Sequence, residues 1–358
     1  MRRKILFSLF ILALVNLFFW GPGLGKELWA APAPKPLAEK SYEELVEGAK
    51  KEGKLIIWTQ LSKSGEVRVL EKFNEKYPFI KMENSLQRVD DSREKLLMEA
   101  KTGRKSDVDV FENSSVAIIP LKKQGGILLS FPWGKIFKID PRAIDPENMA
   151  VAVEDAGGTL AYNTKQLSPD KLPKSYEDLL KPEWKGGKIG LDIRGFLFAD
   201  LVGSGAWTKE KGLDFGKKLL AQDPKFGKGQ TQMASMIVAG EIPMGVTALK
   251  NIVDGQNKGA PIGWVPLEPV PTKLVGFSAY KEAPHPQCAI LFIGWISSPE
   301  GQRALQEFAG KSLPFPGLGT PISKMLEGKT LAVVGWPEAQ AKLMLEMENE
   351  FMKIWGAR

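Results

Sequence analysis

The sequence of 358 residues predicts an α/β protein with two lobes, one inserted within the other. Helix and strand signals alternate from Ser41 onward, which is typical of a mostly parallel sheet flanked by helices on both faces. The chain length favours two domains over one. Two proline-bounded transitions, at about 160–175 and about 266–272, enclose roughly 110 residues and indicate where the chain crosses between the lobes.

The first half alternates helices with short strands. Ser41 and Glu44 predict a capping box at the start of the first helix, and Gly53 suits its end. The remaining predicted elements are a strand at 55–58, a helix at 66–76, a strand at 79–82, a helix from 91 to 103 and a strand at 108–111.

The second half repeats this alternation, with longer helices towards the end of the chain. The predicted strands are at 188–191, 242–246, 261–265 and 273–280. The predicted helices are at 195–204, 208–222, 231–239, from 247 onward, and at 286–296, 299–309 and about 337–355.

The N-terminal segment predicts export from the cytoplasm. A basic head, Met1-Arg2-Arg3-Lys4, precedes an uncharged apolar run at 5–20, and Gly21-Pro22-Gly23 ends that run. Small residues at 30–33 offer a cleavage site. We therefore predict a signal peptide at 1–30 and a periplasmic location. An uncleaved membrane anchor is the alternative, because the run is only a little shorter than a membrane span.

Charge and rare residues argue against several functions. The formal net charge of +7 comes without the clustered arginines of nucleic-acid-binding proteins. The single cysteine, Cys288, and the single histidine, His285, leave little basis for a His/Cys metal site. No nucleophile elbow, phosphate loop or dinucleotide fingerprint is present. We expect no enzyme activity, no cofactor and no nucleic-acid partner, with an acid–base pair of Glu112 and Asp192 as the enzymatic alternative.

Five fragments, in order over nearly all of the predicted mature chain, resemble the iron(III)-type branch of the periplasmic solute-binding proteins of ABC transporters. They are YEELVEGAKKEGKLIIWTQ (42–60), YNTKQLSPDKLPKSYEDLLKPEWKGGKIGLD (162–192), MIVAGEIPMGV (236–246), KGAPIGWVPLEPV (258–270) and APHPQCAILFIGWISSPEGQRALQEFAG (283–310).

This resemblance implies a two-lobed periplasmic-binding-protein fold of type II that closes on its ligand by a hinge. It implies a first crossing at the strand ending in Tyr162-Asn163, with lobe 1 at 41–160 plus 271–358 and lobe 2 at 161–270. The implied partners are a small-molecule anion and an inner-membrane ABC permease, and we expect a monomer. A periplasmic sensor subunit with the same fold is the alternative.

Candidate ligand-binding residues follow from the rule that ligands of open α/β sheets gather at the carboxyl ends of strands. In the first lobe this rule selects two loops, at 59–66 and 112–115. Their hydroxyl and amide groups, beside free helix N–H groups, suit an anionic or polyhydroxy ligand. Helix capping alone is the alternative for the serines. The candidates are Gln60, Ser62, Ser64, Gly65, Asn113 and Ser114.

In the second lobe the same rule selects Arg194, Gln230, Thr231 and Thr247. Arg194 is conspicuous because residues 161–270 contain fourteen lysines and only one arginine. Its planar guanidinium grips a carboxylate or phosphonate with two parallel hydrogen bonds. A salt bridge to Asp192 or Asp200, or a plain surface position, is the alternative.

The tyrosine pattern departs from that of the iron-binding members of this family, which use two adjacent tyrosines as iron ligands. The five tyrosines here, none next to another, are Tyr42, Tyr77, Tyr162, Tyr176 and Tyr280. Ferric iron needs several anionic oxygen ligands. We therefore predict an organic carboxylate or phosphonate bound without a metal, with ferric iron as the alternative.

Overall fold

The computed structural model describes residues 35–61 and 66–356. The predicted signal peptide and three candidate site residues, Ser62, Ser64 and Gly65, lie outside these ranges. Across the described ranges, the helices are all too short or too polar to cross a bilayer.

The described chain contains eleven strands and thirteen α-helices. The strands are β1 (Lys54–Thr59), β2 (Lys81–Leu86), β3 (Val110–Ser114), β4 (Val151–Asp155), β5 (Thr159–Asn163), β6 (Ile189–Asp192), β7 (Lys225–Gly227), β8 (Met244–Thr247), β9 (Ile262–Val265), β10 (Val270–Ala279) and β11 (Leu331–Val334). The helices are α1 (Tyr42–Glu52), α2 (Val67–Lys76), α3 (Val89–Lys101), α4 (Ile118–Gln124), α5 (Trp133–Ile136), α6 (Phe196–Gly203), α7 (Lys209–Leu220), α8 (Gln230–Ala239), α9 (Leu249–Asn257), α10 (Pro286–Ile296), α11 (Pro299–Ala309), α12 (Pro321–Met325) and α13 (Glu338–Gly356).

These strands form two separate mixed sheets. The first has the order β11-β10-β3-β1-β2, with β4 also paired to β10. In it β1 runs parallel to β2 and β3, while β10 is antiparallel to β3 and β4. The second has the order β7-β6-β8-β5-β9, with β6 parallel to its neighbours and β5 antiparallel to its own. Each sheet therefore presents a group of parallel strand ends on one edge.

Local sequence signals explain how α1 and α10 begin and end. The capping box predicted at Ser41 and Glu44 is confirmed, and Gly53 ends α1 in the left-handed region at φ 65°. The carboxylate of Glu52, in the last turn of α1, accepts hydrogen bonds from the backbone N–H groups of Gln287 and Cys288 at the start of α10. The end of one helix thus caps the start of another, and this fixes both against the first sheet.

The chain crosses between the sheets twice. It leaves the first sheet at Asp155 and enters the second at Thr159, through residues 156–158. The strand ending in Asn163, which the resemblance places at the first crossing, is β5; it follows this segment directly and lies in the second sheet with β8 and β9 on its two sides. The return lies between β9 and β10, at 266–269.

The C-terminal helix α13 packs against α6 and α7. Its buried side chains, which include Met347, Phe351 and Trp355, join the apolar cluster that surrounds Phe198. The helix thus contributes to the core around the second sheet, although its residues are placed in lobe 1 by sequence position. The lobe boundaries themselves stay a prediction.

Gly157 allows the two crossing segments to touch through their backbones. A Cβ at this position would lie 2.7 Å from both the carbonyl oxygen of Pro271 and the Cα of Thr272. Since no rotamer change relieves a clash with backbone atoms, we expect Gly157→Ala to lower the free energy of unfolding by roughly 1–3 kcal/mol in urea denaturation. Gly335→Ala is the control, because its Cβ would meet only side-chain atoms at 3.6 Å or more. Equal unfolding midpoints for the two variants would contradict this account of the crossing.

Candidate functional site

The first wall of the site is organised by the carboxylate of Glu112 in β3. It accepts hydrogen bonds from the backbone N–H of Gln60 at 2.8 Å, from the Gln60 side-chain amide at 3.2 Å and from the Thr59 hydroxyl at 3.2 Å. Thr59 is the last residue of β1, so Glu112 holds the chain where it leaves this strand. Gln60 therefore lies at the predicted strand edge, with its amide engaged by Glu112.

Glu112 belongs to a buried cluster with Glu154 and Lys311. The Lys311 ammonium lies 2.9 Å from a carboxylate oxygen of Glu154. Burial raises the pKa of Glu112, although the charge of Lys311 opposes that rise. Burial also disfavours the charged form of Lys311, but the two carboxylates keep its pKa above the usual range. The buried ammonium of Lys311 thus offsets the negative charge of two buried carboxyls, those of Glu112 and Glu154.

Asn113 and Ser114 form hydrogen bonds within the first lobe. The Asn113 amide donates to the Ser278 hydroxyl at 2.9 Å, and its oxygen accepts from the backbone N–H of Ser114 at 2.8 Å. Asn113 is fully buried. The Ser114 hydroxyl accepts from the backbone N–H of Ala117 at 3.2 Å, next to α4. Ser114 thus closes the turn before α4 but does not cap this helix, whose N-cap residue is Ala117, and a ligand contact by Asn113 or Ser114 stays a prediction.

The carboxylate of Asp192, at the end of β6, holds the second wall of the site together. Its carboxylate accepts hydrogen bonds from the Arg194 backbone N–H at 2.9 Å, from the Arg194 Nε at 3.1 Å and from the Gly229 N–H at 2.5 Å. Gly229 immediately precedes α8, whose first residues are Gln230 and Thr231. Asp192 thus brings the arginine beside the amino terminus of α8.

Thr247, at the end of β8, completes this wall. Its hydroxyl donates to the carbonyl oxygen of Gln230 at 2.7 Å and accepts from the Asn251 amide at 2.9 Å. The Gln230 side chain reaches the carbonyl oxygen of Ala156 in the first crossing at 3.5 Å. The structure therefore brings all four candidates of the second lobe to one sheet edge, next to the crossing.

The guanidinium of Arg194 is held in one orientation, but not all of its N–H groups are hydrogen-bonded. The salt bridge to Asp192, left open as the alternative, is present through Nε, and the guanidinium also stacks 4.0 Å from the ring centre of Phe196. Its side chain remains 43% exposed, and its Nη1 group makes no hydrogen bond within the described ranges. One edge of the guanidinium fork is thus available to a ligand.

A second group of carboxyls, not predicted from the sequence, lies at the crossing. Asp155 ends β4, Asp200 lies in α6, and Glu348 comes from α13. Lys273 of β10 favours the ionised form of all three. Burial raises the pKa of Asp155 to about 7 and that of Glu348 to about 7. The one signal in the sequence was Asp200 itself, a charge in the otherwise apolar helix FLFADLVG.

The enzymatic alternative of Glu112 and Asp192 as an acid–base pair gains no support from these contacts. The Glu112 carboxylate is bound by Thr59 and Gln60, and the Asp192 carboxylate by Arg194 and Gly229. Each carboxylate is therefore engaged in hydrogen bonds on its own side of the site.

The tyrosines do not converge on either wall. The hydroxyls of Tyr42 and Tyr77 bond to each other at 2.7 Å, and that of Tyr176 donates to the carbonyl oxygen of Pro269 at 2.9 Å. Burial raises the pKa of Tyr77 and of Tyr176, which disfavours a phenolate. Within residues 35–61 and 66–356, no three His, Cys, Asp or Glu side chains are grouped so as to hold a metal ion.

Known proteins resemble this chain in sequence and in fold. Residues 58–303 match the family model described as bacterial extracellular solute-binding protein. A protein of Serratia marcescens named Fe(3+)-binding periplasmic protein is 25% identical over 221 residues, 57% of this chain. The match spans 63% of that relative's length, which is less than two thirds.

Solved structures resemble the fold over most of the chain. IdiA (FutA) of Trichodesmium, in complex with iron and citrate, has a TM-score of 0.67 at 18% identity and covers 84% of this chain and 99% of its own. Iron-bound HitA of Pseudomonas aeruginosa has a TM-score of 0.64 at 19% identity, with 83% and 99% coverage. AfuA of Actinobacillus pleuropneumoniae, with fructose-6-phosphate bound, has a TM-score of 0.66 at 20% identity, with 86% and 99% coverage.

Proposed function

The chain belongs to the bacterial extracellular solute-binding protein family, and from that premise we propose that it is the periplasmic solute-binding component of an ABC importer. It captures a small anionic solute, an organic carboxylate or a phosphonate, in the cleft between its lobes. It then delivers this solute, as a monomer, to an inner-membrane permease.

The proposal that the solute is an anion rests on one observation, the arrangement of groups around Asp192. This carboxylate holds Arg194 beside the start of α8 and leaves one edge of the guanidinium exposed. Backbone N–H groups at a helix amino terminus favour negative charge, and a guanidinium edge fits a planar anion. From the first lobe we expect Gln60, together with Ser62, Ser64 and Gly65, to contact the same anion.

The ligands named for two of the structural neighbours are consistent with this class. Citrate and fructose-6-phosphate are both small organic anions with several oxygen acceptors. Identities of 18% and 20% support the shared fold, so the ligand class of this chain rests on Arg194 and the α8 terminus.

Ferric iron is the second candidate solute, because the Serratia marcescens relative and several neighbours are named for iron binding. Against it, the hydroxyls of Tyr42, Tyr77 and Tyr176 are bonded within their own lobes. The test below distinguishes an anion that binds together with iron from one that binds alone. The Trichodesmium complex contains both iron and citrate.

The test is isothermal titration calorimetry of the mature protein, stripped of bound solutes, with citrate, fructose-6-phosphate, methylphosphonate and ferric citrate. We expect at least one metal-free anion to bind. Arg194→Lys should weaken anion binding more than tenfold, about 1.4 kcal/mol or more. The reason is that lysine lacks the planar guanidinium, which can donate to Asp192 and to the anion at the same time.

Arg303→Lys is the matched control, because Arg303 is an exposed residue of α11 outside the candidate site. Equal anion affinities in Arg194→Lys and the wild type would refute the assigned role of Arg194. Binding of ferric citrate alone, with stoichiometric iron in native mass spectrometry, would favour the iron candidate.

A further inference from the structure

Beyond the solute site, we propose that Asp155, Asp200 and Glu348, grouped around Lys273, form a proton-dependent latch at the hinge. The latch holds the two crossing segments and the C-terminal helix together when its carboxyls are protonated and loosens when they ionise. This inference rests on the geometry of the crossings and does not depend on which solute binds.

Asp155 ties the two crossings to each other. Its Oδ1 accepts hydrogen bonds from the backbone N–H of Gly157 in the first crossing and from that of Lys273 in β10, both at 2.8 Å. The backbone N–H of Ala156 also donates to the carbonyl oxygen of Lys273 at 2.8 Å. A single carboxyl oxygen thus joins the outgoing and returning segments.

Asp200 approaches the same crossing from the second lobe. Its Oδ2 accepts from the backbone N–H of Gly158 at 3.3 Å, while its Oδ1 is buried without a hydrogen-bond partner. The residue is fully buried. An ionised carboxylate with an unpartnered oxygen is costly in such a place, whereas a protonated carboxyl is much less so.

Glu348 brings the C-terminal helix into the cluster. The charged groups that act on it come from β10, α6 and the loop after β6, namely Lys273, Asp200, Arg194 and Asp192. Lys273 is the cation whose charge lowers the pKa of all three carboxyls, while Arg194 is paired with Asp192. Full ionisation therefore leaves excess negative charge next to the two crossing segments.

The direction of the pH effect follows from the pKa shifts. Burial raises the pKa of Asp155 to about 7, that of Glu348 to about 7, and that of Asp200 above its ordinary value. Between the ordinary carboxyl pKa of about 4 and the raised value, the latched hinge binds more protons than an opened one. The latch therefore weakens as the pH rises across this window and changes little above it.

The test is the interlobe distance in unliganded full-length mature protein. Spin labels at Lys101→Cys in α3 and Lys217→Cys in α7 are measured by electron–electron double resonance between about pH 5.5 and about pH 8, across the titration window. The buried Cys288 is expected to stay unlabelled. We expect a narrow distance distribution at the acid end that broadens or shifts at the alkaline end.

Asp155→Asn is the informative variant, because its amide oxygen still accepts both backbone N–H groups but the side chain does not ionise. It should keep the acid-form distribution at all pH values, and Glu348→Gln, at a partly buried position, should reduce the response.

Two results would overturn the latch: a pH-independent distribution in the wild type, or the same pH response in Asp155→Asn as in the wild type. Failure of every anion to bind would refute the proposed solute class and leave this measurement unaffected. The two proposals therefore fail separately.

Discussion

Replacing Lys311 with methionine is expected to destabilise the protein by about 3–5 kcal/mol at neutral pH, because it leaves buried carboxylates without their cation. Lys311 pairs with Glu154 at 2.9 Å, and its charge also favours the ionised form of Glu112. All three residues are at least nine-tenths buried. Urea denaturation monitored by circular dichroism measures the loss.

The pH dependence of this loss identifies its cause. Burial already raises the pKa of Glu112, so removal of the nearby ammonium raises that pKa further. As the pH falls, Glu112 takes up a proton and no longer needs the cation, so the difference between wild type and variant should shrink towards pH about 5. A loss that stays constant with pH would instead indicate lost packing of the lysine stem.

Lys329→Met provides the matched control. Lys329 pairs with Glu268 at 3.0 Å, but both side chains are about one-third exposed. Solvent-exposed pairs of this kind contribute roughly 0–1 kcal/mol. Because Glu112 also holds the backbone N–H of Gln60, Lys311→Met should additionally loosen the first wall of the solute site.

Truncation of Trp355 to alanine is expected to cost about 3–5 kcal/mol, because it leaves a large cavity where α13 meets the second sheet. The indole is almost fully buried, and its ring centre lies 4.7 Å from that of Phe351 and 5.6 Å from that of Phe226. Its Nε1 donates to the carbonyl oxygen of Gly216 in α7 at 3.0 Å. The midpoint of urea unfolding measures the effect.

Two further variants grade the loss of packing in α13. Trp355→Phe keeps one aromatic ring but loses both the second ring and the bond to Gly216, so it should cost less than Trp355→Ala, roughly 1–3 kcal/mol. Met352→Ala, at a position 37% exposed on the same helix, should change stability by no more than about 0.5 kcal/mol. If Trp355→Ala were as mild as Met352→Ala, α13 would not be part of the second core.

The sequence by itself determined the fold class and the family. Strand and helix periodicity, the capping box at Ser41 and fragments spread along the chain led to a two-lobed α/β solute-binding fold, and the comparisons confirm that assignment. These signals are local: a cap or an amphipathic face depends on residues within one or two turns of each other.

The same locality explains which candidate residues were found. The carboxyl ends of strands are visible in the sequence, so Arg194, Gln230, Thr231 and Thr247 could be chosen as neighbours on one edge, and their contact with a ligand stays a prediction. Strand β4 was not predicted, so the short connection at 156–158 between β4 and β5 was not recognised. The Gly157-Gly158 pair is the local signal for that connection.

Only the tertiary structure decided which charges lie together. Lys311 lies 157 positions after Glu154 in the chain, and Glu348 of the C-terminal helix lies close enough to Asp200 and Lys273 for their charges to shift its pKa. No local pattern encodes such a meeting, since it depends on how whole helices dock on the two sheets. Burial then sets the protonation of these groups, because the cost of a charge depends on the solvent and partners that the fold leaves around it.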